Sequence, residues 1–362
     1  MAKRTYAYSP DYAVPPGLIL EEHLEARGFS QAEFARRCGR SPKLISEIIT
    51  GKARLEPKTA LQFERVLGVD TGIWLGIESR YQTHKIRETE AASAKAYRDW
   101  IRQFPVKDLV NRECFMKPQS DADALSKLLA FFAVGSVDAW NEKVAQAAVA
   151  YRPSPSFQSD KAVLSTWLRL GEIEAKRQEC ADYSKTSFRN AMRKIRGLTR
   201  EPIESALEAA QELANAAGIA LAIVKPLQKT AVSGAAWWLS PNKAIIQLSA
   251  RFMSDDHLWF SFFHEAAHIL LHSKRLIFIE GKGNNETDLE REANEWASNQ
   301  LIDQGAWKQF AATHPFSAST VKEFAQQQGI APGIIVGRLQ HDGWVDFSQM
   351  NHLKVRYRWT DD

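Results

Sequence analysis

From residue 262 to 271 the chain reads Phe-Phe-His-Glu-Ala-Ala-His-Ile-Leu-Leu, and no other stretch constrains its fold as strongly. Ala and Leu favour helix, and a helix that is apolar on nearly every face belongs in a protein interior. Three ionisable side chains inside such a helix are costly to bury without partners. His264 and His268 lie four residues apart, so both imidazoles share one face, about 6 Å apart along the axis. Two such nitrogens can hold one metal ion at about 2.0–2.1 Å. Glu265 beside the first histidine can take a proton from water activated by that ion without ligating it.

A catalytic zinc needs a third protein ligand and an open position. The run Asp288-Leu289-Glu290-Arg291-Glu292-Ala293-Asn294 reads as a second helix that would bring one carboxylate to the ion. Glu290 and Glu292 point about 200° apart around a helix, so only one of them can ligate. Glu290 is favoured, because Asn294 then lies on the same face and can hydrogen-bond a histidine of the first helix. His272 extends the histidine stripe another turn, too far to share the ion, and reads as a partly buried or supporting residue. His257 reads as a helix-start or core histidine.

Short apolar runs precede this helix, at 219–224 and 244–248, with a third strand expected at 233–239. Helices are expected at 255–272 and 286–301, and two more between 319 and 340. Together these make an α+β arrangement with a small sheet.

The other end of the chain has a different texture. Residues 17–80 read as five short helices, the fifth spanning 71–81. Ser30-Gln31-Ala32-Glu33 has the form of a capping box with reciprocal bonds, and Ser41-Pro42 is an N-cap followed by Pro at the first helical position. The pair of helices at 30–38 and 41–49, joined at Gly39, has helix-turn-helix length and spacing. The second helix of such a pair enters the major groove of DNA. That assigns Ser41, Lys43, Leu44 and Ser46 to base edges and Gln31 to a phosphate, with Ala35 and Ile45 facing inward. Seven basic and two acidic residues between Arg36 and Lys58 give a local net charge of +5. Arg40, Lys52 and Arg54 belong to this phosphate footprint, although the whole chain carries only +4.

Residues 84–217 look almost wholly helical and carry no evident chemistry, with amphipathic helices at 121–134 and 161–176 and a loop at 152–156. Cys38, Cys114 and Cys180 form no CxxC pair, which argues against a disulfide scaffold and a cysteine zinc site. No secretory signal or run of about 18 apolar residues is present, so no membrane partner and a cytoplasmic location are expected.

Both ends resemble known families. Pro16 to Glu22, Ser30 to Arg37, Ser41 to Gly51 and Pro57 to Tyr81, with Leu67-Gly68 and Trp74-Leu75, resemble HigA-type antitoxins of the XRE helix-turn-helix family. Ile246 to Ser249, Asp255 to His257, Phe262 to His272 and Glu290 to Asn294 resemble the ImmA/IrrE metallo-endopeptidases. The second resemblance implies Zn2+, or another divalent ion, on His264, His268 and an acidic third ligand, with Glu265 as general base. It also implies a protein substrate such as a repressor; the first adds a double-stranded operator, a toxin-type partner and a homodimer. The expected class is mainly α with a small β-sheet. Residues 1–82 would form a five-helix DNA-binding domain and 83–199 a helical bridge. Residues 200–362 would form an α+β zincin-like domain with a C-terminal helical extension. A HigA-like autorepressor whose peptidase-like domain only senses or binds a partner is the alternative.

Overall fold

The computed structural model describes residues 12–150, 161–228, 230, 232–274, 277–281 and 287–359, without side chains at 146–150 and 280–281. The loop expected at 152–156 lies outside the described residues. The chain divides into two compact units, residues 1–99 with 118–125, and residues 100–117 with 126–362. No described helix is long and apolar enough to cross a membrane.

The first unit opens with α1 (Pro16–Arg27), α2 (Gln31–Cys38), α3 (Pro42–Ile49), α4 (Pro57–Leu67) and α5 (Thr71–Ser93). Ser30 Oγ accepts the Glu33 N–H and Ser41 Oγ accepts the Leu44 N–H, so each helix of the central pair has an orphan donor satisfied. Gly39 ends α2 in the left-handed region at φ 61°, a conformation that glycine adopts without a Cβ penalty and that turns the chain into α3. The reciprocal half of the expected capping box is not made. The Glu33 carboxylate instead takes the Arg37 guanidinium one turn on, at 2.6 Å, because a charge-assisted bond is stronger than one to a neutral backbone donor. Leu20, Phe34, Ala35, Ile45, Phe63 and Trp74 are fully buried between the helices. Helix α5 runs past the expected end near Tyr81 to Ser93, since residues 82–93 contain no Gly or Pro to stop it.

The middle of the chain forms α6 (Arg98–Ile101), α7 (Val106–Asn111), α8 (Asp121–Phe132), α9 (Val137–Ala150), α10 (Lys161–Arg177), α11 (Lys185–Leu198) and α12 (Ile203–Asn215). The sheet follows, made of β1 (Ile219–Ile223), β2 (Val232–Ser240), β3 (Lys243–Leu248) and, after α13 (Asp255–Leu271), β4 (Phe278–Gly281). After β4 come α14 (Asp288–Leu301), α15 (Gln304–Ala311), α16 (Ala318–Gln328) and α17 (Pro332–His341), followed by a short 3-10 helix at Asn351–Leu353.

Strand order is β1-β3-β2-β4. β1 runs parallel to β3, and β2 antiparallel to both β3 and β4. Leu221, Ile246 and Ala236 on one face join the core around α13. Ala220, Ile245 and Ala235 on the other pack with Val163, Leu164 and Trp167 of α10. With both faces covered, the inner strands read as continuous apolar runs. Helix α13 lies over β2 and β3 and packs against α14 and α17. Its start is tied to the end of the chain: Lys354 Nζ meets Asp256 Oδ2 at 2.6 Å, both nearly buried, and the Val355 N–H donates to Asp255 Oδ1 at 3.0 Å.

Candidate metal centre

Two helices build the site. In α13, His264, Glu265 and His268 are 1%, 0% and 2% exposed, because the sheet, α14 and α17 cover the helix on all sides. In α14, Thr287 caps the N-terminus by accepting the Glu290 N–H at 3.3 Å. That cap fixes the first turn, and Glu290 projects from it toward the histidines.

The side chains converge. His264 Nε2 and His268 Nε2 are 3.0 Å apart. Glu290 Oε2 lies 3.1 Å from His264 Nε2 and 3.6 Å from His268 Nε2. In a tetrahedral site with bonds of about 2.0–2.1 Å, ligand atoms stand about 3.3 Å apart. The three separations straddle that value, and two imidazoles with one carboxylate are a donor set suited to a divalent ion such as zinc. Among the described residues no other group of three such side chains comes together.

The electrostatics agree with the geometry. Burial pushes the His268 imidazole down from 6.5 to about 4, against the raising pull of the Glu290 carboxylate. Burial pushes the Glu290 carboxyl up, but the hydrogen bonds and charge it meets at His264 and His268 outweigh this and hold it well below the usual carboxylate range. A neutral His268 beside an ionised Glu290 is the protonation state that a cation requires.

Asn294, one turn beyond Glu290, places Oδ1 2.8 Å from His264 Nδ1. Glu292 points elsewhere, with Oε2 3.2 Å from His272 Nε2, and His272 Nδ1 lies 2.8 Å from His268 Nδ1. Phe278 of β4, a strand absent from the sequence reading, stacks on His268 with ring centroids 3.9 Å apart. Gly234 of β2 was missed too. A Cβ there would lie 2.6 Å from Glu265 Oε1, so only glycine lets the strand approach this carboxylate closely. His257 sits exposed in the first turn of α13, stacked on Phe252 at 4.3 Å.

In the first unit, Gln31, Lys43, Ser46, Lys52 and Arg54 are exposed. The other expected DNA contacts also have local roles. Ser41 caps α3, Leu44 is half-buried against the core, and Arg40 Nε donates to Gln62 Oε1 of α4.

Residues 216–334 match the model of the IrrE N-terminal-like domain, a peptidase family, and residues 20–74 match the helix-turn-helix model. The uncharacterized HTH-type transcriptional regulator YddM of Escherichia coli (strain K12) is 32% identical over 74 residues, covering 20% of this chain and 79% of the relative. The chain belongs to the helix-turn-helix family. In this helix-turn-helix protein the N-terminal match takes in α2 and α3, the expected DNA-reading pair. The IrrE-like match contains the whole sheet and all three converging side chains.

Proposed function

We propose that this chain is a DNA-binding regulator whose IrrE-like domain holds zinc and hydrolyses a peptide bond in a protein partner, such as a repressor or an antitoxin-type protein. The observation that supports this best is the convergence of two neutral-type donors and one carboxylate from α13 and α14. His264 and His268 would hold the ion through Nε2, and Glu290 through its carboxylate. When bound, the ion supplies Lewis acidity, which polarises a peptide carbonyl and acidifies water. Glu265 takes the proton from the attacking water and passes it to the leaving amine. Asn294 orients His264. On the N-terminal side, α3 presents Lys43 and Ser46 to an operator, with Gln31, Lys52 and Arg54 on phosphates, and the protein binds paired half-sites as a homodimer.

Cleavage is tested in cells that produce either the wild type or Glu265→Gln, by profiling new protein N-termini. A fragment that appears with the wild type and vanishes with the variant supports the reading. Identical profiles, with zinc bound to both proteins, overturn it.

The near-complete burial of His264, Glu265 and His268 favours a second reading. In it the protein is a HigA-like autorepressor or antitoxin, and its IrrE-like domain senses a ligand or binds a partner without chemistry. Operator binding by the full chain that shifts with zinc, while no substrate is cut, would select this reading.

A further inference from the structure

Three residues of α14 address His264 and His268 of α13 and His272 just beyond its C-terminus. Glu290 faces His264 and His268, Asn294 faces His264, and Glu292 faces His272. The Glu290 and Asn294 contacts belong to the centre already described. Glu292 and His272 have no part in it, yet they form a chain that ends on one of its rings: Glu292 Oε2 to His272 Nε2 at 3.2 Å, then His272 Nδ1 to His268 Nδ1 at 2.8 Å.

The geometry points to Glu292 and His272 as positioning residues that set the tautomer and orientation of His268, so that its Nε2 lone pair is turned toward the ion. The inference rests on the metal-centre reading above. A neutral imidazole carries one proton, and if Nε2 is to donate its lone pair that proton must sit on Nδ1. His268 Nδ1–H then donates to His272 Nδ1, so His272 must carry its own proton on Nε2. That N–H donates to the Glu292 carboxylate, which can only accept. The three groups therefore have a single consistent proton arrangement, fixed at its outer end by a carboxylate. Asn294 Oδ1 does the same for His264 in one step. Phe278 stacks on His268 with an interplanar angle of 13°, which limits rotation of that ring, and lies 5.1 Å from the His272 ring, which is tilted by 38° to it. Exposure grades outward along the chain, with the His268, His272 and Glu292 side chains 1%, 3% and 56% exposed. Glu292 can thus be changed at the surface without opening the core.

The test is zinc affinity of the full-length protein, by competition with a chromogenic chelator, set beside the melting temperature of the metal-free protein. His272→Ala should weaken zinc binding about 10–100-fold. His272→Gln, which keeps an acceptor for the His268 N–H, should recover most of that loss. Glu292→Ala should weaken binding in the same direction and by less, with an unchanged metal-free melting temperature. Zinc affinity equal to wild type in both His272→Ala and Glu292→Ala overturns the inference, even if His272→Ala lowers the melting temperature. His264→Ala keeps the two claims apart. Loss of zinc in that variant, with wild-type affinity in the other two, leaves the metal centre standing and removes only the positioning role. A wild-type protein that binds no zinc overturns both.

Discussion

His268 and Asp255 sit thirteen residues apart on one helix and respond to acid in opposite ways. Burial pushes the His268 imidazole from 6.5 to about 4, so between those values the unfolded chain binds more protons than the folded one. Its contribution to stability is present above pH 6.5 and is lost as the pH falls through about 4. Burial, with the neighbouring Asp256 charge, pushes the Asp255 carboxyl from 3.8 up to about 6. Its contribution is fully present below pH 3.8 and is lost as the pH rises through about 6. Asp255→Asn keeps an acceptor for the Val355 N–H and removes a buried charge whose Oδ2 has no hydrogen-bond partner. The variant should be more stable than wild type at pH 8 by about 1 kcal/mol, with the gain shrinking toward pH 4, as read from urea midpoints in the metal-free protein. A gain of equal size at both pH values would contradict this. At Gly234 the expected change is a loss. The added methyl of Gly234→Ala overlaps Glu265, and the strain should cost about 1–3 kcal/mol and displace that carboxylate. Wild-type urea stability in this variant would show that the strand can retreat.

At the level of elements, local rules went far. The caps at Ser30 and Ser41, the stop at Gly39, the two buried strands and the buried helix that carries His264 and His268 could be read because each depends on neighbours within a turn or two. The association of Glu290 and Asn294 with α13 was also readable, since helical periodicity puts both on one face. Four features were not. β4 is only four residues long, α5 has no terminating signal, and the closeness of Gly234 to Glu265 and the stacking of Phe278 depend on which strand lies under which helix. Ser41 combines two expectations: its hydroxyl accepts the Leu44 N–H, as its place before Pro42 implied, and its side chain is exposed. Ser41→Asp preserves that cap and should hold stability within about 0.5 kcal/mol, while the new negative charge opposes phosphate and weakens operator binding. For Lys52→Ala, the slope of log affinity against log salt should become shallower by about 1, as for one lost phosphate contact. An unchanged slope would remove Lys52 from the footprint.

Across the whole molecule, the two proposed ligands, zinc and operator DNA, would engage different segments of the chain. Zinc at about 1,000 times its dissociation constant should stabilise the state that binds it by about 4 kcal/mol. Amide hydrogen exchange should then slow in α13 and α14, and operator DNA should slow exchange in α2 and α3. Zinc that leaves α13 unprotected would contradict the centre. The Lys354 ammonium is the counter-charge for Asp256, and the two are nearly buried together at the start of the helix that carries His264 and His268. A chain ending at residue 350 would strand that acid in the interior, a defect of about 3–5 kcal/mol. Such a shortened protein, or one clipped near its end by a protease, should lose its grip on zinc although every ligand is still in place. Lys354 and Val355 would then act as a remote clasp on the proposed metal centre.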